Sequence, residues 1–192
     1  MKISVPTSFE ITEARSGGTT VLRGVASVTY TGDPGTQYPL FPGAVERIAP
    51  GAFSRALSEG HDVIACFNHN ADQILGRTPD TLRLSADERG LTYEVDLPDT
   101  SLGRDVKTLI GRGDLRGSSF AFRPTRKRWT RDGDLDVLLI EDLDLSDVSV
   151  VTRPAYRGTA VSLRSEQLAN YKHQADELRQ TRDRLDYLAS LA

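Results

Sequence analysis

Two short segments of the sequence carry residue types that could form a nucleophile and its base. His69 lies in Phe67-Asn68-His69-Asn70, directly after an apolar run that predicts a strand. A pair of serines, Ser118 and Ser119, opens a second predicted strand beside Gly117. A serine hydroxyl is a weak nucleophile until a base removes its proton, and a third group must orient that base. The combination would suit acyl transfer, although each segment taken singly is more typical of an exposed histidine or the start of an ordinary strand.

The spacing leaves the choice within these segments open. Alternation along a strand puts Ser118 and Ser119 on opposite faces, so at most one of them can face the histidine. The third group would be an acid of the segment 142–149, where Asp142, Asp144 and Asp147 are all candidates. Nothing in the spacing selects among the three, and a solvated acidic turn is the commoner interpretation.

Other possible nucleophiles and bases are less favoured. Cys66 precedes His69 by three residues on the predicted strand, so their side chains should point to opposite faces. We therefore interpret Cys66 as a buried, inert thiol. His61 follows a glycine in a polar turn and His173 lies on a predicted helix, and both are expected to be solvated.

Composition excludes several functional classes. The net charge of −3 offers no electrostatic basis for binding nucleic acid over the whole surface. The basic run from Arg123 to Arg131 surrounds Trp129 and is best interpreted as a hairpin with a solvated basic face. One cysteine and three scattered histidines predict neither a disulfide nor a metal site. No apolar run approaches the roughly 18 residues of a membrane helix, and the N-terminus lacks a secretory signal, so a cytosolic protein is expected.

The elements that must position these groups are mostly short strands broken by Gly, Pro and Asp. Period-two or continuous apolar patterns predict strands over these ranges: 8–14, 19–30, 63–67, 82–85, 91–97, 117–123, 135–143 and 148–152. The Gly- and Pro-rich stretch 31–50 is predicted to be a loop. Helices are predicted over 52–58 and over 101–110, the second capped by Asp99 or Thr100. The pattern indicates a mostly β, α+β fold.

The pattern changes at Ser165. Apolar residues recur at three- and four-residue steps among charged ones: Leu168, Tyr171, Ala175, Leu178, Leu185, Leu188 and Leu191. This spacing predicts an amphipathic helix for packing or oligomerisation, whose mixed-sign polar face argues against membrane binding. We therefore divide the chain into a β domain, residues 1–163, and a helical tail, residues 164–192.

A series of segments between about Gly24 and Val161 resembles the prohead proteases of tailed phages, which are related to the herpesvirus maturation protease assemblin. In order, the segments are residues 46–53, 67–70, 75–76, 90–91, 99–100, 112–115, 117–122 and 147–156, the last reading Asp-Val-Ser-Val-Val-Thr-Arg-Pro-Ala-Tyr. Any one of these segments would be a weak signal, whereas the ordered set with suitable gaps is specific.

The resemblance implies a closed, herpesvirus-protease-like β-barrel with a few flanking helices and a serine protease site. The family's base falls on His69, its nucleophile on Ser119 and its third member on Asp147. Backbone amides would hold the oxyanion, helped by Arg153 or Arg157, and neither a metal nor a cofactor is implied. The sequence has Ser118 where relatives often have methionine, and Ala121 where they often have glycine.

The resemblance also implies a role. Such proteases act in the host cytoplasm, inside the immature capsid, and cleave scaffold, the N-terminal segment of the major capsid protein and often themselves. Self-association into a homo-oligomer is expected, and neither nucleic acid nor membrane is an expected partner. Two alternatives stay open at this point: an assembly or scaffold protein that keeps the fold without cleaving, and a non-enzymatic β-barrel binding module using the basic arm around Trp129.

Overall fold

The computed structural model describes residues 10–13, 20–152 and 161–190 of the chain. The described strands are β1 (Glu10–Glu13), β2 (Thr20–Val28), β3 (Tyr38–Phe41), β4 (Ala44–Ile48), β5 (Ile64–Phe67), β6 (Asn70–Arg77), β7 (Leu82–Asp87), β8 (Gly90–Leu97), β9 (Gly117–Asp132) and β10 (Leu135–Val151). The helices are α1 (Ser54–Ser58), α2 (Ser101–Gly111) and α3 (Val161–Ser190). The predicted class, mostly β with a few helices, is confirmed.

The strands form two sheets. The first is antiparallel, in the order β1-β2-β8-β7. The second has the order β3-β4-β10-β5-β6, and β9 pairs antiparallel with β10 along nearly its whole length. The first part of β10 runs parallel to β4 and the last part runs parallel to β5. Neither sheet closes on itself among the described strands, so the closed barrel that the resemblance implies is not confirmed and stays a prediction.

The two sheets pack face to face over one core. On β8 the burial alternates with period two, and the inward side chains are Leu91, Tyr93, Val95 and Leu97. They meet buried side chains of the second sheet, among them Ile48, Ala65, Leu75, Leu138, Ile140, Val148 and Val150. Full burial of one such aliphatic side chain contributes about 1.5–3 kcal/mol. The outward residues of β8 are polar, and Asp96 pairs with Arg83 at 2.6 Å.

Helix α2 forms where the sequence predicts it. The Thr100 hydroxyl accepts a hydrogen bond from the Gly103 amide at 3.2 Å, which identifies Thr100 as the N-cap. Val106 is buried, and Leu102, Leu109 and Ile110 are partly buried against the core. The predicted helix and its apolar face are therefore confirmed.

The prediction of a loop over 31–50 is wrong, because this segment contains β3 and β4. All five residues of β4 are buried, including Glu46 and Arg47. Because charged residues are usually exposed, these two interrupt the apolar pattern by which a buried strand is predicted. The Arg47 guanidinium is tolerated inside because it has partners: it donates to Gln37 Oε1 at 2.9 Å and lies 2.8 Å from the Asp132 carboxylate. Strand β6 was also not predicted, since most of its residues are exposed and show no alternation.

The prediction of two separate strands over 135–143 and 148–152 is wrong as well. The structure has one continuous strand, β10, with register shifts near Asp142 and between Leu145 and Asp147. Such bulges insert an extra residue and bend the strand without ending it. The tip of the β9–β10 hairpin lies just before Leu135, and Gly133 there adopts φ +57°.

Arg55 fastens α1 to the middle of β10. Its guanidinium donates to Asp142 Oδ2 at 2.9 Å, to Asp144 Oδ1 at 2.7 Å and to the Leu143 carbonyl at 3.1 Å. Hydrogen bonds from Arg55 lower the pKa of both carboxyl groups below the usual range for aspartate. The arginine therefore holds together two acids that would otherwise repel each other.

We expect Arg55→Met to lower Tm at neutral pH by about 2 to 6 °C. Because the folded-state pKa values of Asp142 and Asp144 are depressed, their contribution to stability is present above the unfolded pKa of about 3.9 and is lost as the pH falls through the folded values. The Tm difference between wild type and variant should therefore shrink below about pH 4. Thermal unfolding from pH 3 to 8 measures this difference, with Arg184→Met, a change at an exposed residue of α3, as control. A pH-independent difference would contradict the assignment.

The middle of helix α3 packs against strands β9 and β10. Tyr171 and Ala175 are buried, and the Tyr171 ring makes an edge contact with Trp129 at 6.4 Å between centroids. Farther along, Arg179 pairs with the Asp136 carboxylate on β10. Of the apolar residues that predicted this helix, Leu178, Leu185 and Leu188 are exposed. The side chains of Leu168 and Leu191 lie outside the described part of the chain. The helix itself is confirmed, and the division into two domains stays a prediction.

Candidate active site

His69 lies in a tight turn between β5 and β6 that is bonded to the end of β10. Asn68 and His69 adopt φ values of +54° and +57°, in a left-handed region that non-glycine residues rarely occupy. The Asn68 amide donates to the Val150 carbonyl at 2.9 Å, and Asn68 Oδ1 accepts from the Thr152 amide at 2.9 Å. These bonds offset the energetic cost of the left-handed backbone and fix the position from which the His69 side chain extends.

The imidazole of His69 contacts one of the three candidate acids. His69 Nδ1 lies 2.7 Å from Asp147 Oδ1. The imidazole is 33% exposed and the Asp147 side chain 14% exposed. A carboxylate accepts only, so Nδ1 must carry the hydrogen, and in the neutral imidazole Nε2 then keeps its lone pair. The arrangement thus presents a base whose tautomer is set by Asp147.

The other two acids are engaged elsewhere. Asp142 is bound by Arg55, and Asp144 by Arg55 and Arg123. Asp147 is therefore the acid of the three that hydrogen-bonds to His69. Which of the three acids meets His69 depends on which strand lies beside β10 at each point: β4 lies beside its beginning and β5 beside its end.

The two serines point to opposite faces of β9, as alternation predicts. Ser118 Oγ donates to the Tyr93 hydroxyl at 3.0 Å, inside the core between the sheets. Ser119 is the cross-strand partner of Ser149 on β10, and directly opposite residues share a face. The Ser149 hydroxyl donates to Asp147 Oδ1 at 2.8 Å, so this face is also that of Asp147.

Ser119, His69 and Asp147, which we term the candidate triad, therefore occupy one face of the sheet. Ser119 is 6% exposed. No hydrogen bond joins Ser119 to His69 in the part of the chain that the structure describes. Catalytic hydrogen bonds are often long in proteases without substrate and tighten when substrate binds. The structure thus brings two members into contact and places the third on the same face.

Sequence reasoning missed Ser149. Its side chain is completely buried between β9 and β5 and contacts Cys66, the His69 amide and Asp147. Period-two alternation from Asp147 could have found it, since residues i and i+2 of a strand lie on one face.

Cys66 lies on the face of the candidate triad, because its Sγ is 3.0 Å from Ser149 Oγ, so the prediction that its side chain points to the face opposite His69 is wrong. Burial raises the pKa of the Cys66 thiol, which opposes formation of the reactive thiolate and fits the predicted inert thiol. The prediction that His61 is solvated is wrong, because its side chain is only 19% exposed and contacts Glu59 at 3.1 Å. His173 is exposed on α3, as predicted. Arg153 and Arg157 lie outside the described residues.

The basic residues of β9 pair with acids of β10 while staying largely solvated, as predicted, since the Arg126 and Arg128 side chains are 67% and 58% exposed. Arg126 and Arg128 both pair with Glu141, and Arg131 pairs with Asp136. Much of the local positive charge is thereby neutralised, which leaves little field for a polyanion.

Within the described residues, no group of three or more His, Cys, Asp or Glu side chains is arranged to hold a metal ion. No helix in the described ranges has the length and apolar character to cross a membrane.

Comparison with known proteins identifies the family of the chain. A family model described as caudovirus prohead serine protease matches residues 8–174. The prohead protease of Escherichia phage T5 is 31% identical over 100 residues, which are 52% of this chain and 45% of that relative. The match thus spans less than half of the relative's length, and no solved structure gives a significant match. Because the family model covers most of the sequence, the chain belongs to the caudovirus prohead serine protease family.

Proposed function

We propose that the chain is a serine endopeptidase of phage prohead maturation, with Ser119 as nucleophile, His69 as base and Asp147 as the group that orients the base. The observation that carries the proposal is the 2.7 Å contact between His69 Nδ1 and Asp147 Oδ1 on the face that also holds Ser119. This contact leaves Nε2 as the nitrogen that can accept a proton. Family membership supplies the reaction class.

The reaction proceeds by acyl transfer. Ser119 Oγ attacks the peptide carbonyl carbon while its proton passes to His69 Nε2, and Asp147 stabilises the resulting imidazolium. The tetrahedral intermediate collapses, the C–N bond breaks, and His69 returns the proton to the leaving amine. Water then attacks the acyl-enzyme with His69 again as base, which releases the acid and restores the serine. Backbone amides, with Arg153 or Arg157, would hold the oxyanion.

The substrates and setting follow from the family and its relative. The matched relative is named a prohead protease, and we extend that role to this chain. The substrates would be scaffold, the N-terminal segment of the major capsid protein and the protease itself, inside the immature capsid in the host cytoplasm. The exposed leucines of α3 (Leu178, Leu185 and Leu188) support self-association through the tail.

Co-expression with the major capsid protein encoded beside this chain tests the proposal. Wild type and Ser119→Ala are each co-expressed, and intact masses of both proteins are measured. Truncated capsid protein or shortened protease with wild type alone would support the proposal and identify the cleavage site. Equal truncation in both would assign the nucleophile to another residue. Intact proteins in both would favour an assembly protein that keeps the fold without cleaving.

A further inference from the structure

The buried hydroxyl of Ser149 joins three strands at the candidate triad. It lies 3.3 Å from the His69 amide, 2.8 Å from Asp147 Oδ1 and 3.0 Å from Cys66 Sγ. A hydroxyl has one hydrogen to donate and two lone pairs to accept with. The Ser149 hydroxyl donates to the carboxylate and accepts from the amide and the thiol, which uses this capacity completely. Only one side-chain conformation satisfies all three partners.

The Ser149 bond ends on the same oxygen that the imidazole contacts. Asp147 Oδ1 receives both the Ser149 hydroxyl and His69 Nδ1. Two donors on one oxygen oppose rotation of the carboxyl group about its Cβ–Cγ bond. The same hydroxyl accepts from the His69 backbone, whose φ of +57° requires external support. Ser149 Oγ therefore holds both the Asp147 carboxylate and the His69 backbone in place.

We infer that Ser149 is a positioning residue of the candidate triad, whose hydroxyl aligns the Asp147 carboxylate and the His69 backbone so that Nε2 faces Ser119. The inference rests on the proposed function of the triad and adds a fourth residue to it. Ser149 does not touch substrate in this scheme, since it is completely buried. Its effect passes through the orientation of the base, to which proton transfer is sensitive.

The test compares Ser149→Ala with Ser149→Thr and with Ser27→Ala. Alanine removes the donor to Asp147 and the acceptor of the His69 amide, while threonine keeps the hydroxyl on a β-branched side chain that suits a strand. Ser27 supplies a matched control, because it is a similarly buried serine on β2 whose side-chain partner is the Tyr38 hydroxyl. Thermal unfolding of each variant shows that it is folded.

The first readout is the rate at which a fluorophosphonate labels the protein between pH 5 and 9. Labelling forms a bond between Ser119 Oγ and phosphorus, breaks the P–F bond, releases fluoride and passes the hydroxyl proton through His69 to water. We expect Ser149→Ala to lower the rate about 10- to 100-fold, Ser149→Thr to restore most of it, and Ser27→Ala to change it less than about twofold.

The second readout is the proton NMR signal of His69 Nδ1–H, which a purely structural role of Ser149 would leave in place. We expect Ser149→Ala to shift or broaden this signal and Ser149→Thr to retain it. A folded Ser149→Ala protein with wild-type labelling and an unchanged signal would overturn the inference. Labelling that persists in Ser119→Ala, or is absent from wild type, would instead refute the proposed function, and the His69 signal would still decide the role of Ser149.

Discussion

Ser119→Ala should abolish fluorophosphonate labelling, with a fall in rate of at least about 10⁴-fold, or about 5.5 kcal/mol in activation free energy. The reason is chemical: alanine has no atom that can attack, and the other nearby hydroxyl, that of Ser149, already donates to Asp147 and is completely buried. Labelling is measured as mass gain of the intact protein over time, which needs no knowledge of the natural substrate.

The matched control is Ser118→Ala, one residue earlier on β9. Ser118 points into the core and donates to Tyr93, so its loss should cost some stability and change the labelling rate less than about threefold. If Ser118→Ala abolished labelling while Ser119→Ala retained it, the nucleophile would be reassigned to Ser118, and the two serines would have to face opposite to the directions given above.

Asp147→Asn should give the second large loss, about 10²- to 10⁴-fold in labelling rate, with little change in fold. The amide keeps the size of the carboxyl group, but its NH₂ can donate to His69 Nδ1. That contact would place the hydrogen on Nε2 and remove the lone pair that must accept the serine proton. The variant also loses the negative charge that stabilises the imidazolium. Labelling rates measured from pH 5 to 9 test this, because a neutral His69 with its hydrogen on Nε2 lowers the rate across the whole range.

Asp144→Asn controls for the loss of one negative charge on the same strand. Asp144 pairs with Arg55 and Arg123 and does not hydrogen-bond to His69, so the change should lower Tm and keep labelling within about twofold. Equal losses in Asp144→Asn and Asp147→Asn would show that overall charge near the site, rather than the contact with Nδ1, controls the reactivity of the serine.

The sequence predicted regular elements well where burial alternates cleanly. Strand β8 and helix α2 have one apolar face each, and both form where predicted. Strand β4 was missed because the charged residues Glu46 and Arg47 are buried in it, and the Asp132 carboxylate that pairs with Arg47 is brought there only by the fold. The bulges of β10 were missed for a related reason: an inserted residue changes the phase of alternation, so a pattern counted from Leu135 does not extend to Asp147.

The candidate triad came from family resemblance rather than from spacing. Asp142, Asp144 and Asp147 are equivalent in the sequence, and their partners differ because Arg55 meets two of them and the β5–β6 turn meets the third. Ser149 could have been found by alternation from Asp147, but its importance depends on three partners that only the folded chain brings together.

The parallel pairing of β10 with β5 determines when in folding the candidate triad assembles. His69 and Asp147 are 78 residues apart along the chain, and parallel strands cannot be joined by a tight turn. The entropy of closing so long a loop must be lost before the hydrogen bonds and packing between the two strands can compensate for it, which makes such pairings slow to form. During synthesis, a ribosome-bound chain that has emerged only as far as β9 carries both Ser119 and His69 but lacks the strand that places them on one face. The nascent chain therefore lacks an assembled candidate triad until β10 is made and docked.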